Sequence, residues 1–143
     1  MDLKLKGWLA PVVVIALIAA IVVGNRLLHP PAVPMQTLAC PDVHAGCPFQ
    51  LGNAAYRVGI DGRLKVLSPF EVWVEGPGMS TVQASFTMEG MDMGFNLYTL
   101  RPDPAGVFRV RITLPVCVSG RRDWTLTLDI DGRKIALPFV TEL

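Results

Sequence analysis

Apolar and polar residues alternate along most of the second half of the chain. For example, Glu71 lies between Phe70 and Val72, and Trp73 lies between Val72 and Val74. The segments with this pattern are 70–75, 81–88, 108–114, 124–130 and 135–139. A period of two places successive side chains on opposite faces of an extended strand, and no part of this region carries a sustained 3.6-residue apolar stripe. The sequence therefore predicts strands with one buried face.

Turn residues separate these segments at regular intervals. Asp61-Gly62 and Asp131-Gly132 are typical of two-residue hairpin turns, and residues 102–106, Pro-Asp-Pro-Ala-Gly, of a longer hairpin connection. Roughly seven or eight short strands with such spacing are typical of a two-sheet domain. The predicted fold class is all-β, an immunoglobulin-like antiparallel β-sandwich preceded by one N-terminal transmembrane helix.

The predicted helix lies in a segment without charged residues that extends from Gly7 through Asn25. At a rise of about 1.5 Å per residue, such a helix is roughly 28 Å long, which is close to the hydrocarbon thickness of a bilayer. Pro11 falls in the first turns, where its missing N–H costs least, and Trp8 falls at interfacial depth.

The charges around this segment favour one orientation. Lys4 and Lys6 precede it and Arg26 follows it, which predicts a cytoplasmic N-terminus and a periplasmic domain at a bacterial inner membrane. A signal peptide cleaved after Gly24 is the alternative. The length of the apolar segment and the lack of a clear A-x-A motif favour the uncleaved anchor. The predicted division of the chain is 1–28 for the cytoplasmic tip and transmembrane helix, 29–47 for a Pro-rich linker with a Cys-containing segment, and 48–143 for the periplasmic β-sandwich.

Composition and motifs exclude several classes of function. The net charge of +1 argues against nucleic-acid binding, which needs a basic stripe. With two histidines in the chain there is no convincing Ser-His-Asp or Cys-His arrangement, and no Gly-rich phosphate loop follows a strand. We therefore expect a protein that is not an enzyme.

The segment 87–94, Thr-Met-Glu-Gly-Met-Asp-Met-Gly, breaks the strand pattern with three methionines. Thioether sulfur is soft and neutral, so it suits Cu(I) and is a poor ligand for zinc, calcium or magnesium. Met88 is in phase with the preceding strand, which favours packing in the core. Met91 and Met93 follow that strand, and they either contact a metal or plug the domain as an apolar loop.

The cysteines allow more than one interpretation. Strand counting brings Cys117 to the same end of the sandwich as Met91, where it is either a thiolate ligand of Cu(I) or a buried free thiol. The same counting places Cys40, His44 and Cys47 near that end. For Cys40 and Cys47 a disulfide is the expectation in an oxidising compartment, and a Cys–His–Cys metal site is the alternative.

The anchor, the β-domain and a Met-x-Met-Gly segment after a core strand resemble the FixH/YtkA-like family of membrane-anchored periplasmic proteins. The distinctive parts are residues 86–97 and 114–124. The resemblance implies copper handling and a role in the assembly of haem-copper respiratory oxidases. Carried over to this chain, it implies Met91 and Met93 as ligands, with Met88 next.

The sequence thus predicts a membrane-tethered copper-binding accessory protein or metallochaperone with a Cu(I) site formed by Met88, Met91, Met93 and Cys117. Its expected partner is a membrane respiratory complex or a cuproprotein. One alternative is a non-metal accessory subunit or assembly factor that docks through its helix and its loop end. A further alternative is a thiol-redox helper that uses Cys40 and Cys47.

Overall fold

The computed structural model of the protein describes residues 3–28, 35–88, 91, 96–116 and 119–142. It contains two compact units, Met1–Val33 and Pro34–Leu143. The elements are α1 (Leu3–Leu28), β1 (Gln36–Thr37), β2 (Cys47–Leu51), β3 (Ala54–Asp61), β4 (Pro69–Glu75), β5 (Val82–Thr87), β6 (Leu97–Thr99), β7 (Arg101–Pro102), β8 (Phe108–Thr113), β9 (Asp123–Ile130) and β10 (Arg133–Val140).

The first unit contains the helix α1. Its 18-residue window Pro11–Leu28 has a mean hydropathy of 2.3, and no part of that window is buried by other residues. Arg26 lies in the last turn, where the partial negative charge of the helix end favours a cation. The length and composition make α1 a candidate membrane span or a signal sequence.

The second unit is a sandwich of two five-stranded sheets. One sheet has the order β1-β10-β9-β5-β6 and the other β2-β3-β4-β8-β7. The pairings between the described strands are antiparallel, apart from the parallel pairing of β1 with β10. The predicted all-β sandwich with one N-terminal helix is therefore confirmed.

The strand order is that of an immunoglobulin domain. When β3 to β10 are lettered A, B, C, C′, D, E, F and G in chain order, the two sheets become A-B-E-D and G-F-C-C′. The short strand β1 extends the second of these sheets beside G, and β2 extends the first beside A. In this order β4 and β5, β6 and β7, and β8 and β9 follow each other along the chain but belong to different sheets.

The two Asp-Gly pairs differ in the structure. Asp131 and Gly132 have φ angles of 49° and 85°, as a type I′ turn between β9 and β10 requires. The prediction of a hairpin turn at Asp61-Gly62 is wrong, because Asp61 ends β3 and β4 begins only at Pro69. The connection is long because Leu64 is buried and accepts the N–H of Glu142 at its carbonyl oxygen.

The β-domain begins earlier than the predicted boundary at residue 48. Gln36 and Thr37 pair with β10, and the N–H of Leu38 donates to the carbonyl oxygen of Ala136 at 2.8 Å. Val43 is buried in the core. Much of the segment assigned to the linker is therefore part of the folded domain.

The core lies between the sheets and has an aromatic centre in Phe86. The ring of Phe86 makes edge contacts with Phe70, Tyr98 and Phe139, with centroids 6.0 to 6.1 Å apart. Such edge-to-face pairs contribute roughly 0.5–1.5 kcal/mol beyond the burial of area. Because Phe70 and Phe86 belong to different sheets, the contact between them joins the two layers near the end where β5 stops.

Candidate functional site

One end of the sandwich gathers the loops that the sequence singled out. β5 ends there beside the start of β9, with Thr87 paired to Thr125. The other sheet reaches the same end, because the N–H of Leu67 donates to Leu114 and the N–H of Glu142 to Leu64. We call this end, formed by the described residues 62–68, 87, 88, 91, 96, 97, 114–116, 119–124 and 140–142, the methionine pole. The β4–β5 connection at 76–81 and the hairpin turn at 131–132 lie at the opposite end.

Met88 and Met91 are joined at the backbone. The N–H of Met91 donates to the carbonyl oxygen of Met88 at 3.2 Å, and the two residues form an isolated antiparallel bridge. Met88 is only 3% exposed, whereas Met91 is half-buried and packs against the core. Two thioether residues therefore lie in one tight turn, one inside the domain and one at its surface.

The other two predicted ligands, Met93 and Cys117, lie outside the described residues. The residues before Cys117 are described: Leu114 and Val116 lie at the methionine pole, as strand counting predicted. Leu114 is buried and Val116 is exposed. The participation of Met93 and Cys117 in a site thus stays a prediction.

Two polar atoms are buried near the end of β5 and the start of β9. Trp124 is 1% exposed, and its Nε1 has no hydrogen-bond partner among the described residues. Asn96 donates Nδ2–H to the carbonyl oxygen of Phe86 at 2.6 Å, while its buried Oδ1 has no partner in the same part of the chain. A buried group without a partner costs about 1–3 kcal/mol, so both atoms mark the pole as incompletely satisfied.

Cys40 and Cys47 form a disulfide, with their Cα atoms 5.7 Å apart. Cys47 begins β2 and is buried, and Cys40 is half-buried. This pairing confirms the predicted disulfide. Cys47 pairs with Val58, which in turn pairs with Val74 rather than with the pole end of β4 at Pro69. The register therefore sets the disulfide back from the methionine pole.

The loop closed by this disulfide is fastened at several points. The side chain of Asp42 accepts the N–H of His44 at 2.9 Å, and the ring Nδ1 of His44 lies 2.8 Å from the carbonyl oxygen of Ile60. Gly46, at φ 82°, lies against the indole of Trp73, where a Cβ would be 2.7 Å from the ring. His44 is thus held to β3 beside Ile60, which pairs with Val72 in the middle of β4, and its nearness to the methionines stays a prediction.

Large apolar side chains are exposed at the methionine pole. Leu67, Leu97, Val116 and Val140 each expose more than half of their surface. Leu67 also has a φ of 59°, a conformation that a non-glycine residue adopts at some cost. The pole therefore presents an apolar surface to its surroundings.

A carboxylate with a lowered pKa lies at the rim of this surface. The pKa of Asp123 is lowered from its ordinary value chiefly by the hydrogen bond from the guanidinium of Arg121, with which it forms an ion pair. Asp123 is the first residue of β9 and directly precedes Trp124. It therefore stays ionised, and its charge is balanced by a neighbouring cation.

Within the described ranges, no group of three or more His, Cys, Asp or Glu side chains converges so as to hold a metal ion. The soft donors of the described part of the pole are instead the sulfurs of Met88 and Met91. No family model, curated protein or solved structure matches the chain.

Sequence reasoning did not single out Trp124, Asn96 or the exposed apolar residues of the pole. Trp124 was placed on a strand, but its position opposite β5 depends on the register between two strands from distant parts of the chain. Leu67 carries no local signal of exposure. Both become visible only when the two sheets are in place.

Proposed function

We propose that this protein is a membrane-tethered accessory protein that binds Cu(I) at the methionine pole and passes it to another protein. The observation that carries the proposal is the backbone bridge between Met88 and Met91, which puts two thioether residues in one turn. Thioethers need no deprotonation and prefer soft monovalent ions. Met93 and Cys117 would complete the ligand set.

The compartment agrees with this proposal. A disulfide between Cys40 and Cys47 is typical of oxidising spaces such as the periplasm. The apolar helix would serve as an uncleaved anchor with the N-terminus in the cytoplasm, at a bacterial inner membrane. The resemblance to the FixH/YtkA-like family supports the assembly of a haem-copper respiratory oxidase as the destination of the copper.

Delivery of copper needs no catalysis. A site with few ligands, one of them at the surface, releases its ion to an acceptor that offers more or stronger donors. Met91 is half-buried and so is the ligand through which an acceptor would reach the ion. Copper is here the cargo of the protein and not its resident cofactor.

Cu(I) competition against a chromogenic chelator tests the proposal on the full chain in detergent. Changing Met91 and Met93 together to Leu keeps apolar volume but removes the sulfurs, and we expect a loss of affinity of at least tenfold. Met79→Leu is the matched control, because Met79 also packs against the core but lies in the β4–β5 connection at the opposite end. Equal affinity of the double variant and the control would exclude the pole as the site.

A second candidate function is favoured by the exposed side chains of Leu67, Leu97, Val116 and Val140. In this alternative the protein is a non-metal assembly factor or accessory subunit that docks on a membrane complex through its helix and this pole. Copurification with an intact complex that is lost in Leu67→Ser but kept in Met35→Ser, together with no copper by elemental analysis, would favour it. Met35 is a suitable control because it is exposed away from the pole.

A further inference from the structure

The register of the β-sheet brings Trp124 opposite Met88. Thr87 pairs with Thr125, so one step further along the two antiparallel strands Met88 lies across from Trp124. Both side chains are buried, which places them on the inner face of the sheet. Directly opposed residues of antiparallel strands have Cβ atoms about 4.5–5.5 Å apart. Continuing the register by this one residue beyond the last paired residues of the two strands places the indole next to the buried thioether.

Burial of the Trp124 indole at this position costs free energy. Its Nε1 is buried and has no hydrogen-bond partner among the described residues, although a phenylalanine would fill much of the same space without a polar atom. On its other side Trp124 pairs in register with Phe139, which is also buried. Packing alone does not explain why the larger, polar ring stands at this position.

Thioether ligands leave a bound cation uncompensated. They are neutral, so a monovalent ion held by Met88 and Met91 without the thiolate of Cys117 keeps its full positive charge in a mostly buried place. The face of an aromatic ring attracts such a charge, and tryptophan does so best among the side chains. An indole beside the sulfurs supplies this attraction without adding a negative charge that would hold the ion too firmly for transfer.

We propose that Trp124 lines the buried side of the methionine site, where its indole face contacts the soft monovalent cation bound by Met88 and Met91. This inference rests on the proposed function and names a further residue of the same site. Sulfur–aromatic packing between Met88 and Trp124 without any contact to an ion is the competing explanation.

Fluorine NMR on the full chain in detergent tests the inference without changing Trp124. The three tryptophans are labelled with 5-fluorotryptophan, and Trp8→Phe and Trp73→Phe assign the resonances. With Ag(I) as the probe, we expect the Trp124 resonance to shift at one equivalent while the resonance of Trp73, which lies on the outer face of β4, stays in place. In parallel, Trp124→Leu should weaken Ag(I) binding about 2- to 30-fold.

Calorimetry with Ag(I) separates the two levels of the proposal. Binding that depends on Met91 but leaves the Trp124 resonance unmoved would overturn the role of Trp124 and leave the metal site standing. No binding of Ag(I) would overturn the proposed function itself. A shift of Trp124 that also occurs in Met88→Leu/Met91→Leu would likewise overturn the inference, because the ion would then bind elsewhere.

Discussion

Met91 donates its backbone N–H to the carbonyl oxygen of Met88 at 3.2 Å, yet the two side chains differ in burial. This difference separates stability from ligand binding. Met88→Ala removes a side chain that is 3% exposed, so we expect a loss of about 2–5 kcal/mol in the free energy of unfolding. Met91→Ala should cost about 1 kcal/mol or less, because the side chain of Met91 is partly exposed and water can occupy the space that it leaves.

Urea denaturation followed by circular dichroism measures both values. The matched control is Met79→Ala, since Met79 is half-buried at the opposite end of the sandwich. If Met91→Ala destabilised the domain as much as Met88→Ala, the thioether of Met91 would be a core side chain and not an accessible ligand.

The fold was predictable where the local sequence pattern decides which side chains are buried. The alternation around Phe70 and Phe86 fixes which face of each strand is apolar, and that face is the core. The loop 62–68 could not be predicted, because the Asp61-Gly62 signal is local whereas the path of the loop depends on Leu114 and Glu142, far along the chain. The strand β1 could not be predicted for the same reason, since it pairs with β10 from the far end of the chain.

The candidate site was predictable only in part. Met88 is in phase with β5, and its burial is what the packing interpretation requires. The disulfide followed from the expected compartment. The position of Trp124 opposite Met88 depends on the offset between β5 and β9, and the residue pattern of neither strand contains that offset.

Asp131 joins the β4–β5 connection to the β9–β10 hairpin at the end opposite the methionine pole. Its carboxylate accepts the N–H groups of Ser80 and Thr81 at 3.1 and 2.8 Å, and its φ is 49°. Asp131→Ala removes both acceptors and places an alanine at a positive φ, so we expect a loss of about 1–3 kcal/mol in the free energy of unfolding. Asp131→Asn tolerates the backbone and keeps one acceptor oxygen, so thermal unfolding should rank it between wild type and alanine. An alanine variant as stable as wild type would contradict this role.

Gly59 and Trp73 are coupled by close approach. A Cβ at Gly59 would overlap the indole of Trp73, which also donates its N–H to the carboxylate of Asp61 at 3.1 Å. Gly59→Ala should therefore cost about 1–3 kcal/mol through overpacking. In a Trp73→Ala background the same change should cost much less, and a double-mutant cycle by urea denaturation measures the difference. Additive effects would show that the ring does not lie on Gly59.

Asp103 should contribute to stability in a pH-dependent way. Its pKa is lowered first by the hydrogen bond from the backbone N–H of Val107 and further by the side chain of Arg109 and the N–H of Ala105. A group with a lowered pKa in the folded state stabilises the fold above its unfolded pKa of about 3.9, and this contribution is lost as the pH falls through the folded pKa.

Asp103→Asn should thus be less stable than wild type at pH 7, and the gap between the two should narrow toward pH 2. Thermal unfolding at several pH values measures the gap. Asp129→Asn is the control, because Asp129 is likewise in a β-hairpin and accepts a backbone N–H, from Gly132. A gap for Asp103→Asn that does not change with pH would contradict the ionic origin of its contribution.

The disulfide between Cys40 and Cys47 should stabilise the domain without taking part in metal binding. Their sequence separation is 7 residues, and closing so short a loop in the unfolded chain is worth about 2.5 kcal/mol on the chain-entropy estimate. Cys40→Ser/Cys47→Ser, and wild type under reducing conditions, should both unfold at a lower urea concentration. Because the loop is also held by Asp42 and by the contact of Gly46 with Trp73, the folded domain should persist.

Ag(I) affinity should be the same in the double serine variant as in wild type, and mass spectrometry of the alkylated chain checks the pairing. A double variant that folds but binds Ag(I) at least tenfold more weakly would move the metal site from the methionines to the disulfide loop.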